Sequence, residues 1–188
     1  MKDLSLHNLD IVLNSVHAGA DLIEIEIDEK NRGALKLRIK DNGSGIEKDL
    51  LEKVKDPFYT TGNKRFGLGI PLLEQKAKQC EGSLKVISEP GKGTEIIADF
   101  RSDHIDMPPA GNIAKTLKML ICAYPEKHFI YVHKFGEKKF LLDTDEIAEV
   151  FGDEKLNKPG ILKLIEEMII ENLKDIGAAW IAHKNNSE

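Results

Sequence analysis

Two cysteines, Cys80 and Cys122, are all that the 188-residue sequence contains. They are too few and too far apart for a disulfide scaffold or a zinc cluster, and ordinary buried thiols are the expectation for both. Long apolar runs are missing as well, so nothing spans a bilayer, and the opening MKDLSLHNLD has no apolar signal core. A cytoplasmic protein follows as the expectation. Neither sign of charge dominates. The net charge is -5 from 27 basic and 32 acidic residues, with 15 and 17 of these in the first hundred positions. A nucleic-acid platform carries a marked positive excess and an acidic tail a dense negative run, so neither nucleic acid nor a membrane is an expected partner. Two nucleotide motifs are absent too: there is no GxxxxGK[ST] loop, and GLGIPL supplies only two of the glycines of a GxGxxG fingerprint. What remains is 41% hydrophobic and 31% charged, the composition of a globular chain with room for one large domain or two small ones.

Periodicity sets out the elements. Leu6, Leu9, Leu13 and Val16 recur at helical spacing, predicting a helix over 4–18 with Asp3 or Ser5 as cap and Gly19 at its end. LIEIEID (22–28) and ALKLRIK (34–40) alternate strictly and predict paired half-buried strands. DNGSGI (41–46) is a glycine-rich turn. A short helix is expected over 47–55, a loop without periodicity over 58–67, and a helix over 68–80 with Pro71 tolerated in its first turn. SLKVIS and TEIIADF predict two strands around the turn EPGKG. RSDHIDMPPA reads as a linker. Beyond it come a helix over 111–123, a hairpin of HFIYVHKF and KKFLLD around Gly136, a short helix over 144–151 and an amphipathic helix over 159–182.

Some residues in the first hundred have a clear chemical use. An Asp after a strand with alternate glycines behind it, Asp41, Gly43 and Gly45, lets a flat ligand approach the backbone while the carboxylate accepts a hydrogen bond. Gly67 and Gly69 at a helix start expose N–H groups where the helix dipole is positive, which suits phosphate. Lys64 and Arg65 just upstream can add positive charge. Asn14 offers a neutral oxygen suited to Mg²⁺. Asp10, four residues earlier, shares its helix face.

This ordered set, with DPFYTT (56–61) and GKGT (91–94), resembles the GHKL superfamily of ATPases, which includes DNA gyrase, the 90-kDa heat-shock chaperones, mismatch-repair ATPases and sensor histidine kinases. The catalytic and ATP-binding domain of the histidine kinases is the most similar, over about residues 4–100. The resemblance implies an α+β fold, a two-layer α/β sandwich of the GHKL (Bergerat) type with a mixed sheet, in residues 1–103. A small α+β region of unknown role, with partner docking as one use, is expected over 104–188. ATP and Mg²⁺ are the implied cofactors. Asn14 matches the Mg²⁺ ligand and Asp41 the residue that bonds the adenine amino group, with Gly43, Gly45 and Ile46 shaping that wall. Residues 58–69 match the ATP lid, whose Lys64, Arg65, Gly67, Leu68 and Gly69 lie toward the phosphates. Thr94 matches a threonine that supports the adenine pocket.

Two departures shape the functional expectation. Hydrolysing members carry a Glu as general base where this chain has Asp10, one methylene shorter. Only 13 residues precede Asn14, so a dimerisation helix with a phosphoacceptor His is not expected before it. The expectation is an ATP- and Mg²⁺-binding, histidine-kinase-like protein that transfers phosphate to, or regulates, a separate partner protein. The alternatives are an ATPase-type conformational switch with slow hydrolysis and a non-catalytic nucleotide sensor.

Overall fold

A computed structural model describes residues 3–30, 33–51 and 69–178. The expected sites at Lys64, Arg65, Gly67 and Leu68 lie outside the described residues, as does the Phe58–Tyr59 pair. Helix α1 runs over Leu4–His17; the Asp3 carboxylate caps it by accepting from the Leu6 N–H, and Gly19 follows at φ +76. The N–H groups of Leu4 and Ser5 donate to the carbonyls of Pro109 and Ala110 at 2.9 and 3.1 Å. Helix N-termini leave their first donors without intrahelical partners, so the stretch read as a linker completes α1.

Strands β1 (Leu22–Lys30) and β2 (Ala34–Asp41) pair antiparallel with Ile25 opposite Ile39. Ile23, Ile25, Ile27, Leu35, Leu37 and Ile39 are all buried. Each such side chain contributes about 1.5–3 kcal/mol on leaving water, so a slip of one residue in register is strongly disfavoured. Then follow α2 (Lys48–Leu51), α3 (Gly69–Gln79), β3 (Ser83–Glu89) and β4 (Gly93–Arg101). The remainder supplies α4 (Ile113–Ala123), β5 (His128–Phe135), β6 (Lys138–Asp143), α5 (Thr144–Phe151) and α6 (Pro159–Ile176). The amphipathic helix expected to reach 182 stops at Ile176. There Gly177 takes φ +80, and its N–H and that of Ala178 bond back to Lys174 and Leu173, a left-handed helix ending that suits glycine.

The strands form one mixed sheet in the order β3-β4-β2-β1-β5-β6. All neighbours are antiparallel except β1 and β5, which run parallel with Tyr131 opposite Ile25. Strands from both sides of residue 103 therefore share a sheet and a core. Helices α1 and α3 pack over β2, β3 and β4, α6 packs over β5 and β6, and α4 lies between α1 and α6. The opposite face carries charge. Arg38 on β2 reaches Glu95 at 2.5 Å and Glu24 at 3.2 Å, and Lys134 reaches Glu26 at 2.5 Å. Two layers with one ion-paired open face is the α+β sandwich that the sequence led us to expect. No helix among the described residues is long and apolar enough to cross a membrane.

The core holds a polar chain: the Tyr131 hydroxyl meets Nδ1 of His133, whose Nε2 lies 2.6 Å from Glu29 Oε1. Of the two cysteines, Cys80 is buried, which pushes its thiol pKa up. Cys122 is exposed, against the expectation, because it follows the buried Ile121 onto the solvent side of α4.

Candidate functional site

A cavity of about 660 Å³ opens between the C-terminal half of α1, the loop after β2, the start of α3 and the start of β4. Its apolar walls come from Ile11, Ile46, Ile70 and Ile96. Asp41, the last residue of β2, stands at its polar end and is only 7% exposed.

Three donors hold the Asp41 carboxylate. Oδ1 accepts the N–H of Gly43 at 2.9 Å and of Thr94 at 3.1 Å, and Oδ2 accepts the Ser15 hydroxyl at 2.6 Å. An ionised carboxylate has about four acceptor positions and no donor, so one position on Oδ2 is left for a ligand that presents an N–H or O–H. The glycines make this arrangement possible. Gly93 sits at φ +101, where a β carbon would come 1.9 Å from the Asp41 carbonyl oxygen. Only glycine allows that approach, and it brings the Thr94 N–H within reach of Oδ1. At Gly45, with φ +68, a β carbon would come 2.1 Å from the Glu89 carbonyl oxygen. Ser88 then ties the loop to the two strands. Its hydroxyl accepts from the Ile46 N–H, lies 2.8 Å from the Thr94 hydroxyl and 2.9 Å from the Gly93 carbonyl.

Asn14, Asp41, Gly45, Ile46 and Thr94 thus line one cavity, with Gly43 holding the carboxylate from behind. The Asn14 amide has a buried Nδ2 without a hydrogen-bond partner among the described residues. A buried unpaired amide nitrogen is costly, and a polar ligand in the cavity relieves that cost. Asp10 is not among the lining residues. It lies where α1 crosses α3, and a β carbon placed on Gly69 would be 3.0 Å from that of Asp10. Gly69 itself begins α3.

Sequence reasoning missed Ser15 and Ser88, along with His17 and Glu47 at the cavity wall. A signal existed for the two serines. Ser15 falls four residues after Ile11 on the buried stripe of α1, and Ser88 continues the inward series Leu84 and Val86 on β3. A hydroxyl on an apolar stripe needs a partner, and here that partner is the site.

The arrangement suits a flat heteroaromatic ring that slides between isoleucines and ends in an amino group at Asp41. Asn14 adds an amide oxygen donor of the kind Mg²⁺ takes.

Comparisons with known proteins agree with this geometry. The family described as "Histidine kinase-, DNA gyrase B-, and HSP90-like ATPase" matches residues 6–104. Sporulation kinase C of Bacillus subtilis is 36% identical over 69 residues, which is 36% of this chain and 16% of that protein. The sensor histidine kinase ZraS of Salmonella typhimurium is 33% identical over 87 residues, 45% of this chain and 19% of its own length. The chain thus spans less than a fifth of these two relatives. A solved structure titled "Crystal Structure of N terminal domain of a DNA repair protein" superposes with a TM-score of 0.52 at 18% identity, covering 81% of this chain and 58% of the other. It is a likeness of fold.

Proposed function

Because the chain belongs to the family of histidine kinase-, DNA gyrase B- and HSP90-like ATPases, we propose that its cavity binds ATP with Mg²⁺ and that the protein acts, as a kinase does, on a separate partner protein. The observation that carries this reading is the Asp41 carboxylate, fixed by three donors at the end of an apolar slot with one acceptor position left over. An adenine amino group supplies the matching donor. Asn14 would hold Mg²⁺ through its amide oxygen. Gly69 at the start of α3, and Lys64, Arg65, Gly67 and Leu68 outside the described residues, would face the phosphates. Bound Mg²⁺ and ATP supply an electrophilic γ-phosphoryl group. The chain's own work is to orient it and to spread its charge while a His or Ser of the partner attacks.

A second reading is favoured by one observation. Asp10 stands against Gly69 and not among the cavity-lining residues. Its carboxylate is one methylene shorter than the Glu of the hydrolysing members, which shortens its reach toward an attacking water and supports a nucleotide-binding sensor or slow switch over a fast ATPase.

The test is direct. Mg²⁺-ATP and Mg²⁺-ADP should raise the melting temperature by mass action, and Asp41→Asn should abolish the rise. Incubation with γ-labelled ATP and candidate partners separates the readings. A labelled partner supports transfer, and binding without label or phosphate release supports the sensor.

A further inference from the structure

Among the described residues, the side chains that line the cavity and can carry charge are Asp41, Glu47 and His17. Two of them are carboxylates. A wall charged by these alone repels the phosphates of a nucleotide, so a site that takes one needs a compensating cation. His17 is the lining side chain, among the described residues, that can supply it. It closes α1, three residues after Asn14. Residues three apart on a helix are neighbours, with β carbons about 5–6 Å from each other. His17 is exposed, and its ring makes no hydrogen bond or ion pair among the described residues. The closing turn of a helix also presents carbonyl groups whose partial negative charge favours an imidazolium. The other charged groups on this side are Glu47 and Asp41 of the cavity wall and Asp10, two turns earlier on α1. All three are acceptors when ionised, and none of them can donate to a phosphate.

We infer that His17 is a phosphate-binding residue of this cavity: its imidazolium donates to the phosphate chain of a bound nucleotide, so phosphorylated ligands are held more tightly while the ring carries its proton. The inference rests on the nucleotide-binding reading above. With the base at Asp41 and the phosphates toward Asn14, as that reading has them, the phosphate chain passes within reach of a side chain one turn further along α1. Histidine side chains change charge between about pH 5 and 8. A phosphate favours the charged ring, so the contribution of His17 is full at the acid end of that range and is lost as pH rises through it. A ring that only packed at the helix end would treat a nucleoside and a nucleotide alike.

The experiment titrates ADP and adenosine into the full chain, His17→Gln and His17→Lys, with melting curves to show that each is folded. It is run with Mg²⁺ and again with the metal chelated, so that an effect carried through the ion is told apart from direct contact. At about pH 6, His17→Gln should weaken ADP about fivefold and leave adenosine within about twofold, with or without the metal. The ADP difference should shrink toward nothing by about pH 8.5, where the imidazole is neutral. Comparing the chains at each pH cancels the ionisation of ADP itself. His17→Lys keeps a positive charge throughout and should hold ADP as tightly at the upper pH as the unaltered chain does at the lower. Equal weakening of ADP and adenosine by His17→Gln, a loss that does not vary with pH, or a loss confined to the Mg²⁺ series overturns the inference and leaves the nucleotide site standing. Failure of the unaltered chain to bind ADP overturns the nucleotide reading and removes this inference with it.

Discussion

The hydroxyl of Tyr131 lies 2.5 Å from Nδ1 of His133, two residues along the same strand, with both side chains fully buried. Burial holds the Tyr131 phenol pKa well above its ordinary value, with the Glu29 charge adding to the effect, so the hydroxyl keeps its proton. In the neutral ring this makes Nδ1 the acceptor and leaves the Nε2 proton for Glu29. Tyr131→Phe removes the hydroxyl and nothing else. It should cost about 0.5–1.5 kcal/mol, the net contribution of one hydrogen bond, read as a lower urea midpoint with an unchanged slope.

His7 gives the pH dependence. It is 2% exposed, and neither ring nitrogen has a hydrogen-bond partner among the described residues. Desolvation on burial holds its pKa below 6.5. The unfolded chain therefore takes up the proton first as pH falls. Stability is intact above about 6.5 and declines through that value toward the lower folded pKa. His7→Leu should flatten this part of the curve. The check is the difference in urea midpoint between variant and unaltered chain from pH 7.5 to 5, and a difference independent of pH would refute it.

Gly93→Ala should be among the most damaging single changes. The added β carbon would meet the Asp41 carbonyl oxygen at 1.9 Å, at a φ of +101 that L side chains rarely adopt. Backbone strain alone is worth about 1–3 kcal/mol, and the displaced Thr94 N–H would leave Asp41 as well. Loss of soluble expression, or a melting temperature several degrees lower with no response to nucleotide, is the expected outcome.

Asp10→Ala should leave nucleotide affinity within about twofold, because Asp10 is not among the described residues that line the cavity and a carboxylate beside Gly69, an acceptor only, offers an anionic phosphate no hydrogen bond. Titration of ADP into the variant measures this. A tenfold loss would place Asp10 at the nucleotide after all.

Strict alternation made β1 and β2 legible, because the inward isoleucines and leucines repeat at period two. The apolar stripe and Asp3 cap did the same for α1. The cavity was legible through Asn14, Asp41, Gly45, Ile46 and Thr94, which stood out as an ordered set of polar and small residues at the end of α1, after β2 and at the start of β4. Other features were hidden for a physical reason. The parallel pairing of β1 with β5 joins residues about a hundred positions apart, and no local pattern encodes a partner at that distance. Pro108 and Pro109 look like a linker in one dimension. In three, the Pro109 carbonyl is an acceptor for α1. Ser15 and Ser88 went unremarked because single hydroxyls disturb an apolar stripe so little.

The place of β1 inside the sheet limits how the chain can be cut. A fragment ending near residue 103 would match the family's extent, yet it would turn β1 from an inner strand into a rim. The backbone groups that now meet β5 from Leu22 to Glu29 would face solvent beside a bared row of isoleucines, and the Pro109 and Ala110 carbonyls that complete α1 would be gone. Such a rim is a template for other copies of itself. The excised half should therefore precipitate or pair edge to edge, and any assay on it would report the behaviour of a torn sheet.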